Sequence, residues 1–201
     1  MIKNIIFDIG NVLSDFRWRE FLLDKGFSEE MVERIGQASV LTDSWYEFDK
    51  GVFSDEEVIE LFIKNDPDIA KEIHLAFDNV EGMVSLKHDT FDLLRSLKSR
   101  GYKLYYLSNY SHKAEVQCPE ATSFISEMDG GILSYTVKLT KPDPAIYRLL
   151  LDRYGLKPSE SVFIDDTLKN IDAAKEFGIY GIQYINREQA VKELDALLQK
   201  K

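Results

Sequence analysis

Apolar residues follow two different rhythms along this chain. From about residue 84 onward, short apolar runs alternate with longer segments whose apolar positions recur every three or four residues. The short runs at 4–8, 103–107, 131–137, 161–164 and 180–185 predict strands. The longer segments predict helices over 86–100, 145–154, 168–177 and 188–199, with a fifth over 113–127 interrupted by Pro119. Leu86, Leu93, Leu94 and Leu97 share a helical stripe that stops at Gly101. Asp143 suits an N-cap and Pro144 the first helical position, while Gly178 ends the helix before it. Strands alternating with helices imply an α/β fold, a doubly wound parallel sheet covered on both faces.

Residues 14–82 break that rhythm. Helical patterns cover 16–25, 29–37, 55–64 and 69–77, and no good strand is visible. Ser28-Glu29-Glu30 and Ser54-Asp55-Glu56-Glu57 are helix-start signals. The expectation is a core of residues 1–13 and 83–201, with a helical cap of residues 14–82 inserted after the first strand. Internal repeats and low-complexity segments are absent from the sequence, and Lys200-Lys201 reads as a frayed tail.

Composition narrows the function. The 201 residues are 44% hydrophobic and 30% charged, ordinary for a globular protein. No apolar stretch is long enough to span a bilayer. The chain enters its first strand without a signal-peptide pattern. One cysteine, Cys118, excludes an internal disulfide and fits a reducing cytoplasm. The net charge of −10 argues against nucleic acid and against an anionic membrane as partners. Any bound phosphate must therefore find local positive charge.

Four places carry candidate chemistry. Asp8 closes the apolar run Ile5-Ile6-Phe7, at the strand end where open α/β sheets hold their ligands. Ser108-Asn109 follows a β run, and its hydroxyl, amide and backbone N–H groups suit phosphoryl oxygens. Lys141 precedes Pro142 in Lys-Pro-Asp-Pro, which biases it to an extended backbone, and the two prolines restrain the chain on both sides of Asp143. Asp165-Asp166 follows Val162-Phe163-Ile164. Two adjacent carboxylates would repel in one dry site, and a hard cation such as Mg²⁺ removes that cost. Taken alone, the pair is better read as one helix cap and one solvated side chain. Asn170 follows at helical spacing and could steady the carboxylates. Together the four supply a nucleophile, a hydroxyl, a cation and a carboxylate pair, the equipment of phosphoryl transfer through an aspartyl-phosphate.

In this order the four pieces resemble the haloacid dehalogenase superfamily of phosphotransferases, over nearly the whole chain. The resemblance implies Asp8 as nucleophile, Ser108 and Asn109 as phosphate-binding residues, and Lys141 steadying both nucleophile and phosphoryl group. It implies Asp8, Asp166 and the Gly10 carbonyl as Mg²⁺ ligands, with Asp165 in a direct or water-mediated role. The expected partner is a small phosphorylated metabolite, and the expected state a monomer or homodimer. One position departs from the pattern. Most phosphatases of the superfamily carry a second Asp two residues after the nucleophile, which protonates the leaving group; here that residue is Gly10. The Asp-x-Gly-Asn-Val start and residues 44–51 are similar to a sugar-phosphate branch that also lacks it, with glucose-1-phosphate-type substrates the nearest analogy.

The cap is expected to set specificity. Trp45, Tyr46 and Lys50 read as a loop over the crevice, with Trp45 to stack on a sugar and Lys50 to meet a phosphate; Trp45 and Tyr46 suit the cap core equally. Asp15, Arg17 and Trp18 follow the first motif closely enough to reach the site. His112 and Asp15 are the first candidates for the missing acid. His74 and His88 lack companions at metal-ligand spacing, and Cys118 reads as structural. Two rivals remain: a metal-independent 2-haloacid dehalogenase, and a binding protein of this fold with weak turnover. A phospho-aspartate receiver domain fits poorly, because there the acidic pair comes first.

Overall fold

The structure is a computed structural model that describes residues 1–199. The chain enters as β1 (Asn4–Phe7) and turns into a short β2 (Ser14–Phe16). It then runs through α1 (Trp18–Asp24), α2 (Glu29–Ala38), α3 (Ser44–Lys50), α4 (Asp55–Asn65) and α5 (Ala70–Phe77). It returns as β3 (Val84–Leu86) and α6 (Thr90–Ser99), followed by β4 (Lys103–Ser108), α7 (His112–Gln117), β5 (Gly130–Leu133), α8 (Ser134–Val137) and α9 (Pro144–Tyr154). β6 (Ser161–Asp165), α10 (Leu168–Glu176), β7 (Tyr180–Gln183) and α11 (Arg187–Leu198) complete it.

Five strands form one sheet in the order β5-β4-β1-β6-β7, every pair parallel. All four residues of β1 are buried, as its central place requires. Ile5 and Phe7 face a cluster that includes Leu94 and Leu97 of α6 and Leu194 of α11. Ile6 faces the other way, among Phe163, Ile146 and Leu150 of α9 and Ala174 of α10. Both sheet faces are thus covered, so the strands read as continuous apolar runs rather than alternating ones. The expected doubly wound α/β fold is the fold observed.

Between β2 and β3, the helices bury Phe21, Ile35, Phe62, Ile73 and Phe77 in a separate cluster. Burying each such side chain contributes about 1.5–3 kcal/mol. Local signals hold here: Ser54 and Glu57 form a reciprocal capping box on α4, and Ser28 accepts from Met31 N at α2. Among the described residues, no helix is long and apolar enough to cross a membrane. The expected tail at Lys200-Lys201 lies outside the described residues.

Four local expectations need correction. Residues 14–16 are a strand, paired antiparallel with residues 84–86. Three residues are too few to show a period of two, and their partner is distant in sequence. The helix predicted from residue 86 accordingly starts later, at Thr90. Residues 131–137 divide into the end of β5 and the turn of α8. Residues 44–50 are a helix rather than a loop, although Asp43 makes no side-chain cap. Aromatic packing supplies what capping does not: Trp45 stacks on Phe62 at 5.9 Å and meets Phe48 edge-on at 5.3 Å.

Candidate active site

The parallel sheet brings the four sequence motifs to one edge, at the C-terminal ends of its strands. Asp8 follows β1, Ser108 is the last residue of β4, and Asp165 is the last of β6. Lys141 reaches them from the loop between α8 and α9. Its ammonium lies 2.8 Å from Asp8 Oδ1 and 2.6 Å from Asp165 Oδ2. The side chain is 1% exposed. Burial disfavours its charge, but Asp165 and Asp8 outweigh burial and raise its pKa.

Asn109 holds that lysine in place. Its Nδ2 donates to the Lys141 carbonyl at 3.0 Å, and its Oδ1 accepts from Lys141 N at 2.7 Å. The amide expected to meet phosphate is therefore occupied by backbone. Ser108 is buried, and its Oγ has only a long contact of 3.4 Å to the Asn109 carbonyl.

The two carboxylates of the pair have different surroundings. Asp165 is fully buried and accepts from Lys141, from Thr167 N at 2.7 Å and from Asn170 Nδ2 at 3.1 Å to each oxygen. Asp166 is half-buried, and Asn11 Nδ2 donates to its Oδ2 at 2.9 Å. Asn11 sits at φ 59, a left-handed backbone that asparagine tolerates better than most residues. Its role carries a single local signal in the sequence, the Gly10-Asn11 turn after the strand.

Carboxylate oxygens of Asp8, Asp165 and Asp166 lie within 4.8 Å of one another. The Lys141 ammonium pairs with two of the three, Asp8 and Asp165. Burial, reinforced by Asp165 and Asp166, pushes Asp8 up to about 7 against the pull of Lys141. Such a cluster suits a hard divalent cation, whose charge offsets the excess. Asp165 has no oxygen left over from its donors, whereas Asp8 and Asp166 turn toward a cavity of about 170 Å³ that they line together with Gly10.

The helical segment supplies the other wall of this cavity, chiefly Trp45 and Asp49. These residues stand four apart on α3, and so share one helix face. Lys50 is one position further round, half-exposed, with its ammonium 4.0 Å from Glu47. It does not line the cavity, and the helical period is the reason. A loop over this stretch gives no cause to single out Asp49; the helix does. Asp49 is 8% exposed, and burial, then the charge of Asp8, pushes it up to about 8 against Lys141.

Other side chains expected near the crevice have partners elsewhere. The His112 ring packs 5.2 Å from Tyr135, Asp15 pairs with Lys87 at 2.6 Å, and Arg17 pairs with Asp24 at 2.8 Å. Trp18 packs beneath Arg19, whose guanidinium lies 4.4 Å from the ring. Cys118 is buried and donates to the Val80 carbonyl, as a structural cysteine does.

Trp45 serves the helical segment's apolar cluster and the cavity at once, because Phe16, Phe48, Phe62 and Phe77 all surround it within 6.0 Å. Trp45→Ala is expected to destabilise the protein by about 3 kcal/mol, the low end for a large aromatic that is only partly buried. Urea unfolding measures this, and an unchanged midpoint would show that the aromatic cluster contributes nothing.

A family model described as haloacid dehalogenase-like hydrolase matches residues 2–178. The D-ribitol-5-phosphate phosphatase of Bacteroides thetaiotaomicron is 28% identical over 220 residues, covering 98% of this chain and 99% of that protein. The sesquiterpene phosphatase of Aspergillus oryzae is 26% identical over 196 residues, covering 98% and 96%. Mouse acyl-CoA dehydrogenase family member 10 is 29% identical over 163 residues, but its match covers 77% of this chain and 15% of that protein. Among solved structures, a family enzyme of Bacteroides thetaiotaomicron in complex with magnesium and inorganic phosphate superposes with TM-score 0.65 at 24% identity, covering 91% and 94%. A dehalogenase with an intermediate complex superposes with TM-score 0.69 at 21% identity, covering 100% and 98%. Phosphatases and dehalogenases share this fold, so the chemistry must be argued from the site.

Proposed function

Because the chain belongs to the haloacid dehalogenase-like hydrolases, we propose that it is a Mg²⁺-dependent phosphatase of a small phosphomonoester, a sugar or polyol phosphate in class. The observation that carries this reading is the buried array of Asp8, Lys141 and Asp165 with Asp166 beside it at the cavity. A displacement at carbon needs a carboxylate and little more. A second, partly solvated carboxylate facing the same space adds charge that only a cation would justify. Relatives that act on phosphorylated metabolites, matched over nearly their full length, support the same reading. A cavity of about 170 Å³ is small for a ligand site and suits a compact substrate.

Asp8, Asp166 and the Gly10 carbonyl would hold the ion, which supplies positive charge to both nucleophile and phosphoryl oxygens. Asp8 attacks phosphorus and the ester oxygen leaves. Lys141 holds the attacking carboxylate in line and offsets charge on the phosphoryl group. Asp165 acts through Lys141, and Asn109 through the Lys141 backbone. Ser108 and the backbone N–H groups beyond β4 receive phosphoryl oxygens. Residues 14–82 act as a cap over a core of 1–13 and 83–201, and Trp45 orients the organic part of the substrate.

Phosphate release from a panel of sugar and polyol phosphates, with Mg²⁺ and with chelator, tests the reading. Chelation is expected to abolish release and Mg²⁺ to restore it. Asp166→Ala should lose activity without recovery at ordinary Mg²⁺. Halide release from a 2-haloacid, indifferent to chelator, would favour the dehalogenase. Binding of phosphate esters with no release would make the protein a non-catalytic member.

A further inference from the structure

We propose that Asp49 is the proton donor to the leaving group, reaching from the helical segment into the space that a side chain at position 10 does not occupy. The inference rests on the phosphatase reading above. A Cβ built at Gly10 meets nothing within 4 Å, so the wall there is open rather than crowded. Three carboxyl groups line the cavity. Asp8 is committed to attack and Asp166 to the cation, which leaves Asp49. Among the described residues no protein group donates to its carboxyl, while its backbone carbonyl accepts from Ser134 Oγ at 2.5 Å.

That backbone contact matters for position. Ser134 Oγ also accepts from Tyr110 N at 2.9 Å, so one hydroxyl joins α3 to the loop after β4. Lys138 donates to the Gly51 carbonyl just beyond Asp49, and Lys169 donates to the Tyr46 hydroxyl at 2.5 Å. Three ties from the core therefore pin α3 at both ends and hold Asp49 on the wall of the cavity that Asp8 also lines. A donor needs this placement, since its oxygen must meet the ester oxygen on the side opposite the attacking carboxylate. Burial of the carboxyl also favours the protonated form.

As the Asp8 oxygen bonds to phosphorus, the phosphorus–ester oxygen bond breaks and its electron pair stays on the leaving oxygen. The Asp49 proton passes to that oxygen, giving a neutral alcohol and the Asp49 carboxylate. In the second half water attacks phosphorus and passes a proton to Asp49. The bond from phosphorus to Asp8 then breaks, returning the Asp8 carboxylate and releasing inorganic phosphate.

The test measures kcat/KM with Mg²⁺ for aryl and alkyl phosphates ordered by leaving-group pKa, in the natural protein, Asp49→Asn and Asp49→Ser. The natural protein should show a shallow dependence. Both variants should lose about 10²–10⁴-fold on alkyl phosphates, with the loss shrinking as leaving-group pKa falls. A steep dependence in the natural protein, or an equal loss on every substrate, overturns the assignment. If both variants misfold, the slope of the natural protein alone decides. If the natural protein releases nothing even from the most activated aryl phosphate, the phosphatase reading itself has failed and takes this proposal with it.

Discussion

Asp8→Asn is expected to lower phosphate release by on the order of 10⁴–10⁶-fold, the scale seen when a hydrolase loses its nucleophile. The amide is nearly isosteric but carries no charge and attacks phosphorus poorly. The fold should survive, and above neutral pH it should be firmer. Burial and two neighbouring carboxylates already push Asp8 up to about 7, well above its unfolded value. A raised carboxyl pKa contributes stability at low pH that is lost as pH rises through the folded value. The amide removes that loss, so the variant should gain on the natural protein between mildly acidic and alkaline pH when both are metal-free. Initial rates and thermal unfolding in chelator check both halves. Turnover within about tenfold of the natural protein, a barrier change of about 1.4 kcal/mol, would mean that another group attacks.

Lys141→Met should be the most destabilising single change at the site. It removes the one ammonium that lies between Asp8 and Asp165, at 2.8 and 2.6 Å. Breaking a buried pair by deleting one partner costs about 3–5 kcal/mol, because the remaining charge stays buried and uncompensated. Lys141 is the main force lowering the Asp8 pKa, so its loss drives that pKa further up. The deficit should therefore grow as pH rises through and beyond about 7 and level off in mildly acidic solution, where Asp8 is already protonated. Urea unfolding of the metal-free protein at acidic and alkaline pH reads this directly. A deficit that stays constant with pH would show that Lys141 acts by packing alone. Activity should be lost as well, since Lys141 is the side-chain cation that offsets charge on the phosphoryl group.

Much of the site was legible in the chain itself because its residues sit where local patterns end. A carboxylate closing an apolar strand, as Asp8 and Asp165 do, is visible as a break in hydrophobicity. Lys141 is marked by the two prolines that follow it, and the next helix by Asp143 and Pro144, which start it as expected. The alternation of strand and helix patterns was enough for a parallel, doubly covered sheet, since few topologies satisfy it. The family followed from the order of the motifs.

What the sequence could not reveal concerns pairs distant along the chain. β2 exists only because β3 lies beside it, and three residues carry no periodic signal. α3 lacks a side-chain cap and is rich in aromatics, so local propensity pointed to a loop; stacking on Phe62 and ties to α8 and α10 make it a helix. That one change moves Lys50 off the cavity and brings Asp49 onto it. Likewise Asn109 holds the Lys141 backbone, and Asp165 and Asp166 differ in their partners although they are neighbours in sequence. The sequence determined which chemical groups stand at the strand ends, because strand ends are set locally. Tertiary structure alone decided which of them touch, which are saturated with donors and which face the cavity, because hydrogen bonding and desolvation depend on neighbours that only folding brings together.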